Sequence, residues 1–99
     1  MRLPLGFHSD AQKEFDAVIA WYESQRPGLG EEFISRVEDA LDRIGRTPEG
    51  HALVRRDVRC ARVHRFPYAI YYRVEADRVT VVSVFHASRD PHVWQSRVT

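Results

Sequence analysis

The spacing of apolar residues changes near residue 50 of this 99-residue chain, and this change limits the folds open to it. In the first half, apolar residues recur at steps of three and four, which is typical of helices with one buried face. The first stripe consists of Ala11, Phe15, Val18, Ile19 and Tyr22, and the second of Phe33, Val37, Ala40, Leu41 and Ile44. In the second half the step becomes two, which predicts strands near Arg59–His64, Tyr68–Glu75 and Val79–Phe85.

Local signals set the limits of the first elements. Alternating apolar residues between positions 3 and 7 predict a short first strand. Ser9 and Gln12 have the spacing of a capping box, so a helix should begin at Ser9. The sequence Arg26-Pro27-Gly28 ends that helix, because proline disfavours helical geometry at the residue before it. A second helix begins near Gly30, and so short a connection predicts an antiparallel helical hairpin.

These elements predict an α+β fold in one domain that spans residues 1–99. An N-terminal strand is followed by the antiparallel helical hairpin and then by a three-stranded antiparallel meander. Ala76-Asp77-Arg78 makes the tight turn between the last two strands. The helices should cover one face of the sheet and leave the other face open.

Composition indicates a globular protein outside the membrane. Hydrophobic residues make up 43% of the chain and charged residues 29%, which excludes a disordered class. No apolar run approaches the roughly 18 residues of a membrane span. The single cysteine, Cys60, excludes an internal disulfide and suits a reducing compartment, so we expect a cytoplasmic protein.

Charge is distributed unevenly, although the net charge is only +1. Residues 1–50 carry 6 Lys/Arg against 10 Asp/Glu, and residues 51–99 carry 9 against 4. All the basic residues of the second half are arginines, whose planar fork suits carboxylate, phosphate and aromatic partners. The arginine-rich half is therefore the better candidate for a binding surface.

An ordered set of motifs resembles the RelE/ParE superfamily of bacterial toxins, and within it the ParE-like branch often labelled plasmid stabilisation proteins. The set runs through Ala17–Glu23, Arg26–Phe33, Pro48, Arg59, Arg65–Tyr72, Val84–His86, Arg89-Asp90-Pro91 and Trp94. The resemblance implies the toxin of a type II toxin–antitoxin system, neutralised by a cognate ParD-like antitoxin. That antitoxin would wrap across the helical hairpin and the open sheet face. ParE-like toxins act on DNA gyrase, whereas RelE-like toxins cut mRNA on the ribosome, and the shared fold does not decide between them.

The residues favour a toxin that inhibits gyrase by binding, with a RelE-like ribosome-dependent mRNA endonuclease as the alternative. An endonuclease needs a proton acceptor and a proton donor beside cations. Here the only lysine, Lys13, lies in the first helix, and Tyr72 lies in mid-strand. His86 and His92 are the remaining acid–base candidates of the tail. A net charge of +1 is also small for a protein that binds RNA.

We therefore predict a partner-binding set and no catalytic residues, and we leave enzymatic activity open. The set consists of Arg59, Arg65, Arg73, His86, Arg89 and Trp94; an endonuclease would use Arg59, Arg65, His86 and Arg89. Trp94 either folds back onto the sheet or anchors a partner, and Arg89 could instead pair with Asp90. No histidine pair has a metal-ligand spacing, so neither a metal nor a cofactor is expected.

Overall fold

A computed structural model describes residues 3–89 and 92–97. Its elements are β1 (Leu5–Phe7), α1 (Ser9–Gln25), α2 (Leu29–Arg46), a 3-10 turn (Pro48–Gly50), β2 (Ala52–Arg55), β3 (Val58–Arg62), β4 (Tyr68–Val74), β5 (Val79–His86) and α3 (His92–Gln95). The strands form one sheet in the order β1-β5-β4-β3-β2. β1 pairs parallel with β5, and the other neighbours are antiparallel. The predicted α+β fold is confirmed.

Strand β2, which forms the edge of the sheet beside β3, was not predicted from the sequence. Its four residues give no alternation that could have revealed it, because Ala52, Leu53 and Val54 are all exposed. An edge strand at the rim of the sheet has few packing partners, and apolar periodicity depends on packing. The antiparallel part of the sheet therefore has four strands, not three.

The helical hairpin is held at its turn by one carboxylate. Glu23 accepts hydrogen bonds from the backbone N–H groups of Gly28 and Gly30, the latter at 3.0 Å. Gly28 has a φ of 89°, a left-handed conformation that favours glycine. A Cβ atom at Gly30 would lie 2.9 Å from the carbonyl oxygen of Ile19, so the two helices lie very close together here. Helix α1 begins at Ser9 as expected, but its cap is His8, whose Nδ1 accepts from the N–H of Asp10.

The main core lies between the helical hairpin and one face of the sheet. Its fully buried helical members are Ala11, Phe33, Val37, Ala40 and Ile44, and its strand members include Ala61, Ile70, Tyr72, Val79, Val81 and Val84. Both apolar stripes recognised in the sequence therefore face the sheet. The hydroxyl of Tyr72 donates to the carbonyl oxygen of Pro48 at 2.5 Å, which connects the sheet to the 3-10 turn that follows α2.

The opposite face of the sheet is covered in part by the C-terminal segment, although an open face was expected from the sequence. Trp94 of α3 is only 2% exposed and stacks on Tyr71, with ring centroids 4.5 Å apart. Val58, Val82 and Phe85 complete this second, smaller cluster. A sequence pattern could not place so short a helix on a particular face, since one turn has no usable periodicity.

A side-chain pair completes the outer edge of β5 where β1 ends. The register of β1 stops at Val81, and beyond it Glu14 of α1 accepts from the N–H of Val84 at 3.3 Å. Arg97 donates to the carbonyl oxygen of Val82 and forms two 3.0 Å hydrogen bonds with the carboxylate of Glu14. The Glu14–Arg97 pair thus satisfies backbone groups that a neighbouring strand would otherwise bind.

Candidate partner-binding site

A groove lies between α1 and the end of the sheet where β4 begins and β5 ends. Its volume is about 530 Å³ and its lining is mainly apolar. Helix α1 contributes Ala17, Val18, Trp21 and Tyr22. The turn before β4, the two strands and the segment after β5 contribute Pro67, Tyr68, His86 and Arg89. We call this the α1–β5 groove. It brings together two of the predicted site residues, His86 and Arg89, beside a set of aromatic rings.

The floor of the groove belongs to an aromatic cluster that continues into the core. Tyr68 and Tyr22 have ring centroids 6.2 Å apart, and both contact the buried ring of Phe33. Burial raises the pKa of Tyr68, although the nearby Arg89 guanidinium acts in the opposite direction. Tyr68 therefore stays protonated near neutral pH and can serve the groove as a hydrogen-bond donor. Rings held on several sides by other rings form a rigid floor.

His86 and Arg89 form the polar wall of the groove. The ring of His86 lies edge-on to Tyr68 at 5.2 Å, and its Nδ1 accepts from the backbone N–H of Ser88 at 3.2 Å. The guanidinium of Arg89 lies over the ring of Phe85, 5.3 Å from its centroid. Arg89 also lines the groove, and a guanidinium in such a position can bind an anionic group.

Trp21 forms the rim of the groove on the helix side, and it was not among the predicted site residues. The side chain is 56% exposed, more than any other large hydrophobic residue in the described part of the chain. Its ring contacts Tyr22 edge-on at 5.0 Å. The position of Trp21 beside the apolar stripe of α1 was the available signal. Large, exposed aromatic residues next to a concave surface are typical anchors of protein interfaces.

The predicted site residue Arg59 lies outside the groove. It donates to the carbonyl oxygen of His51 at 2.7 Å and lines a separate hollow of about 380 Å³. The Cα partner of Arg59 is Tyr72, whereas that of His86 is Tyr68. Four residues along β4 and two strand spacings across the sheet place the Cα atoms of Arg59 and His86 roughly 16 Å apart.

The two remaining arginines are also separate from each other. Arg73 lies on the sheet face that carries Tyr71 and pairs with Asp57 at 3.0 Å. Arg65 is exposed in the turn between β3 and β4, at the same end of the sheet as His86, and has a φ of 72°. The structure therefore divides the predicted set between the two ends and the two faces of the sheet.

Trp94 lies away from this groove, and two further predictions concern residues that are not fully described. Trp94 is buried against the sheet, the first of its two predicted alternatives. The alternative pairing of Arg89 with Asp90 lies outside the described residues, and of His92 only the backbone is described. The roles assigned to the set of six stay predictions.

The described residues provide neither a metal site, nor an activated thiol, nor a membrane-spanning helix. Among the described residues no group of three or more His, Cys, Asp or Glu side chains could hold a metal ion. Burial raises the pKa of the Cys60 thiol, which makes it a weak nucleophile at neutral pH. In the part of the chain that the structure describes, no helix combines the length and the apolar character needed to cross a membrane.

Comparison with known proteins supports one family. Comparison with the curated proteins gives no significant match. Among solved structures, the fold is similar to a chain of the chromosomal ParDE TA system from P. aeruginosa, with a TM-score of 0.77 and 14% sequence identity. The similarity covers 88% of this chain and 98% of that one. A family profile described as the ParE toxin of the type II toxin–antitoxin system parDE matches residues 5–91. Because this match spans most of the sequence, the chain belongs to the ParE toxin family.

Proposed function

We propose that this protein is a cytoplasmic toxin that inhibits DNA gyrase by binding it, and that a cognate ParD-like antitoxin neutralises it. Such a pair would stabilise the replicon that encodes it. The observation that carries the proposal is that the candidate residues lie at different ends and on different faces of the sheet. The predicted acid–base residue, His86, has Arg89 beside it in the groove. The Cα atom of Arg59 lies roughly 16 Å from that of His86, and the Arg59 side chain donates to His51. A phosphoryl-transfer site needs its proton donor, acceptor and cations within hydrogen-bond reach of one phosphate.

Charge also supports a protein partner. Of the candidate arginines, Arg73 pairs with Asp57, Arg59 donates to a backbone carbonyl, and Arg89 lies over a ring. Binding to RNA gains most of its free energy from many cations that contact phosphates, and here those cations are dispersed. A protein interface needs only local complementarity and a few aromatic or arginine anchors.

The alternative function, mRNA cleavage on the ribosome, has one observation in its favour. His86, Arg89 and the hydroxyl-bearing Tyr68 line the same groove, so a partial acid–base set exists. A nuclease that relied on His86 would lose about 100-fold or more of its cleavage rate in His86→Ala. In the same variant, a toxin that acts by binding would lose only the affinity that one contact contributes.

A gyrase supercoiling assay with purified toxin tests the proposal. Micromolar toxin should inhibit supercoiling, and added antitoxin should restore it. His86→Ala should change the inhibition less than about tenfold, and the matched control His64→Ala, in the exposed turn after β3, should leave it unchanged. Primer extension on translated mRNA after toxin induction should show intact transcripts. Transcript cleavage that disappears in His86→Ala, with normal supercoiling, would establish the alternative.

A further inference from the structure

We propose that β2 is a self-association surface: a second copy of this chain pairs its own β2 antiparallel to it, and the two sheets become one. The inference does not rest on the proposed function, since β3 separates β2 from the strands that line the α1–β5 groove. Three features support it: the free backbone of β2, the apolar side chains on it and the charges at its two ends.

The two edges of the sheet differ in how far they can accept another strand. At one edge, β1 has only three residues and follows Pro4, which has no N–H to donate. Beyond β1, Glu14 and Arg97 already bond the backbone of β5. At the other edge, no backbone hydrogen bond from another element reaches the outer side of β2 among the described residues. An edge strand with free outer groups can bind a further strand, so β2 is the edge open to pairing.

Two exposed apolar side chains lie on this edge strand. Leu53 is 55% exposed and Val54 is 48% exposed, and both follow the exposed Ala52. Edge strands that stay unpaired usually carry charged residues, proline or a bulge. In β2 the register shifts between Leu53 and Arg55, so these devices act only at the end of the strand. They limit pairing to a few residues and leave the apolar ones available to a second strand.

Two-fold symmetry restricts the register of such a pair. Side chains directly opposite each other in an antiparallel pair lie on the same face, so the residue at the two-fold axis lies opposite its own copy. With Leu53 at the axis, Ala52 of each copy lies opposite Val54 of the other. This register places apolar side chains against apolar ones along the contact, and their burial stabilises the dimer.

The charges at the ends of β2 are complementary in the same register. Glu49 precedes the strand and Arg56 follows it, and both are exposed beside the hollow that Arg59 lines. Antiparallel pairing places Arg56 of one copy opposite Gly50 of the other, next to its Glu49, and the symmetry repeats this contact. A parallel arrangement would bring each arginine against its own copy. Complementary charges therefore favour the antiparallel orientation.

The pairing stops at two copies. Each chain has one open edge, and a two-fold contact uses the open edges of both chains. Four strand residues a side make a contact smaller than the roughly 800 Å² per partner of a standard interface. The dissociation constant should therefore be on the order of 10 µM.

Sedimentation velocity of the purified full chain between about 1 and 200 µM tests the dimer. The wild type should pass from monomer to dimer over this range and form nothing larger. Leu53→Glu should weaken association about tenfold or more, because it places two carboxylates opposite each other. Trp21→Glu is the matched control, since Trp21 is similarly exposed, at 56%, but lies on α1. It should dimerise within about threefold of the wild type.

Charge reversal and cross-linking test the register. Glu49→Arg and Arg56→Glu should each weaken association about fivefold, and the double variant should restore it, which an effect on folding alone would not do. Directly opposite Cα atoms lie about 4.5–5.5 Å apart, within the range of a disulfide. Leu53→Cys should therefore form a covalent dimer under mild oxidation. Trp21→Cys and the wild type, whose Cys60 is half-buried, should not.

Each contrary outcome overturns the inference in a recognisable way. A wild type that stays monomeric at about 200 µM would show that the edge does not self-associate. A dimer that persists in Leu53→Glu but is lost in Trp21→Glu would place the second copy at the groove. If the wild type is monomeric and Leu53→Glu no longer binds the antitoxin, the edge is an antitoxin site instead. The gyrase assay is independent of all these results, so the proposed function stands or fails separately.

Discussion

The close approach of the two helices predicts the outcome of adding one methyl group, in Gly30→Ala. Alanine favours a helix over glycine by at most about 1 kcal/mol, so propensity alone predicts stabilisation. The structure predicts the opposite. The new Cβ would lie 2.9 Å from the carbonyl oxygen of Ile19 and 3.1 Å from the Cβ of Glu23. Both neighbours belong to the facing helix, and the first is backbone, so the helices must separate.

The net effect follows from two opposing contributions. Overpacking of this kind costs about 1–3 kcal/mol. Separation of the helices also lengthens the 3.0 Å hydrogen bond from the N–H of Gly30 to Glu23, which costs about 1–2 kcal/mol more because the acceptor is charged. After the gain in propensity is subtracted, Gly30→Ala should lower the free energy of unfolding by about 2 kcal/mol. For a domain of this size that is a fall of about 8–16 °C in melting temperature.

Urea denaturation followed by circular dichroism measures this difference, with Gly6→Ala as the matched control. No atom lies within 4 Å of a Cβ built at Gly6, so that variant should stay within about 0.5 kcal/mol of the wild type or gain slightly. A Gly30→Ala variant as stable as the wild type would refute the close approach. It would show that the hairpin accepts a methyl group here without separation of the helices.

Two further predictions concern the Glu14–Arg97 pair and the buried tyrosines. Arg97→Ala should lower the free energy of unfolding by about 2 kcal/mol, because it removes the ion-pair partner of Glu14 in a largely buried site. The control Arg46→Ala breaks an exposed pair with Asp42 and should lower that free energy by under about 0.5 kcal/mol in the same urea titration. Burial raises the pKa of Tyr72 to about 12, so the folded state binds its proton more tightly than the unfolded chain does. That stabilisation is complete below about pH 10 and is lost as the pH rises towards 12. Tyr72→Phe should therefore reduce the loss of stability between these values in alkaline unfolding, and an unchanged profile would contradict the burial of its hydroxyl.

The sequence predicted those parts of the fold that depend on apolar periodicity. Phe33, Val37 and Ile44 recur at helical spacing because they meet one continuous sheet face, and that spacing is visible without coordinates. Tyr68, Ile70, Tyr72 and Val74 alternate for the same reason. β2 was invisible, since Leu53 and Val54 both face solvent at an edge.

The candidate site was less accessible to sequence reasoning, because it depends on which ends of the strands meet. His86 and Arg89 were selected together and do line one groove, since they are three residues apart in the chain. Arg59 was grouped with them although the antiparallel register places it at the opposite end of the sheet. Trp21 was not selected, because the groove beside it is lined by residues far apart in the sequence, and the order of the residues does not show which of them meet.

The parallel pairing of β1 with β5 has a consequence for how and when this molecule can be made. The first strand of the chain cannot pair until the last one exists, since Leu5 and Phe7 align with Val79 and Val81 more than seventy positions later. Contacts so distant in sequence form late and slowly, because most of the chain must be ordered before they close. A nascent or truncated polypeptide that stops before Val79 therefore lacks β5, the strand on which α1 packs, and has no completed groove. Synthesis has to pass the final strand before the two sides of the groove can meet.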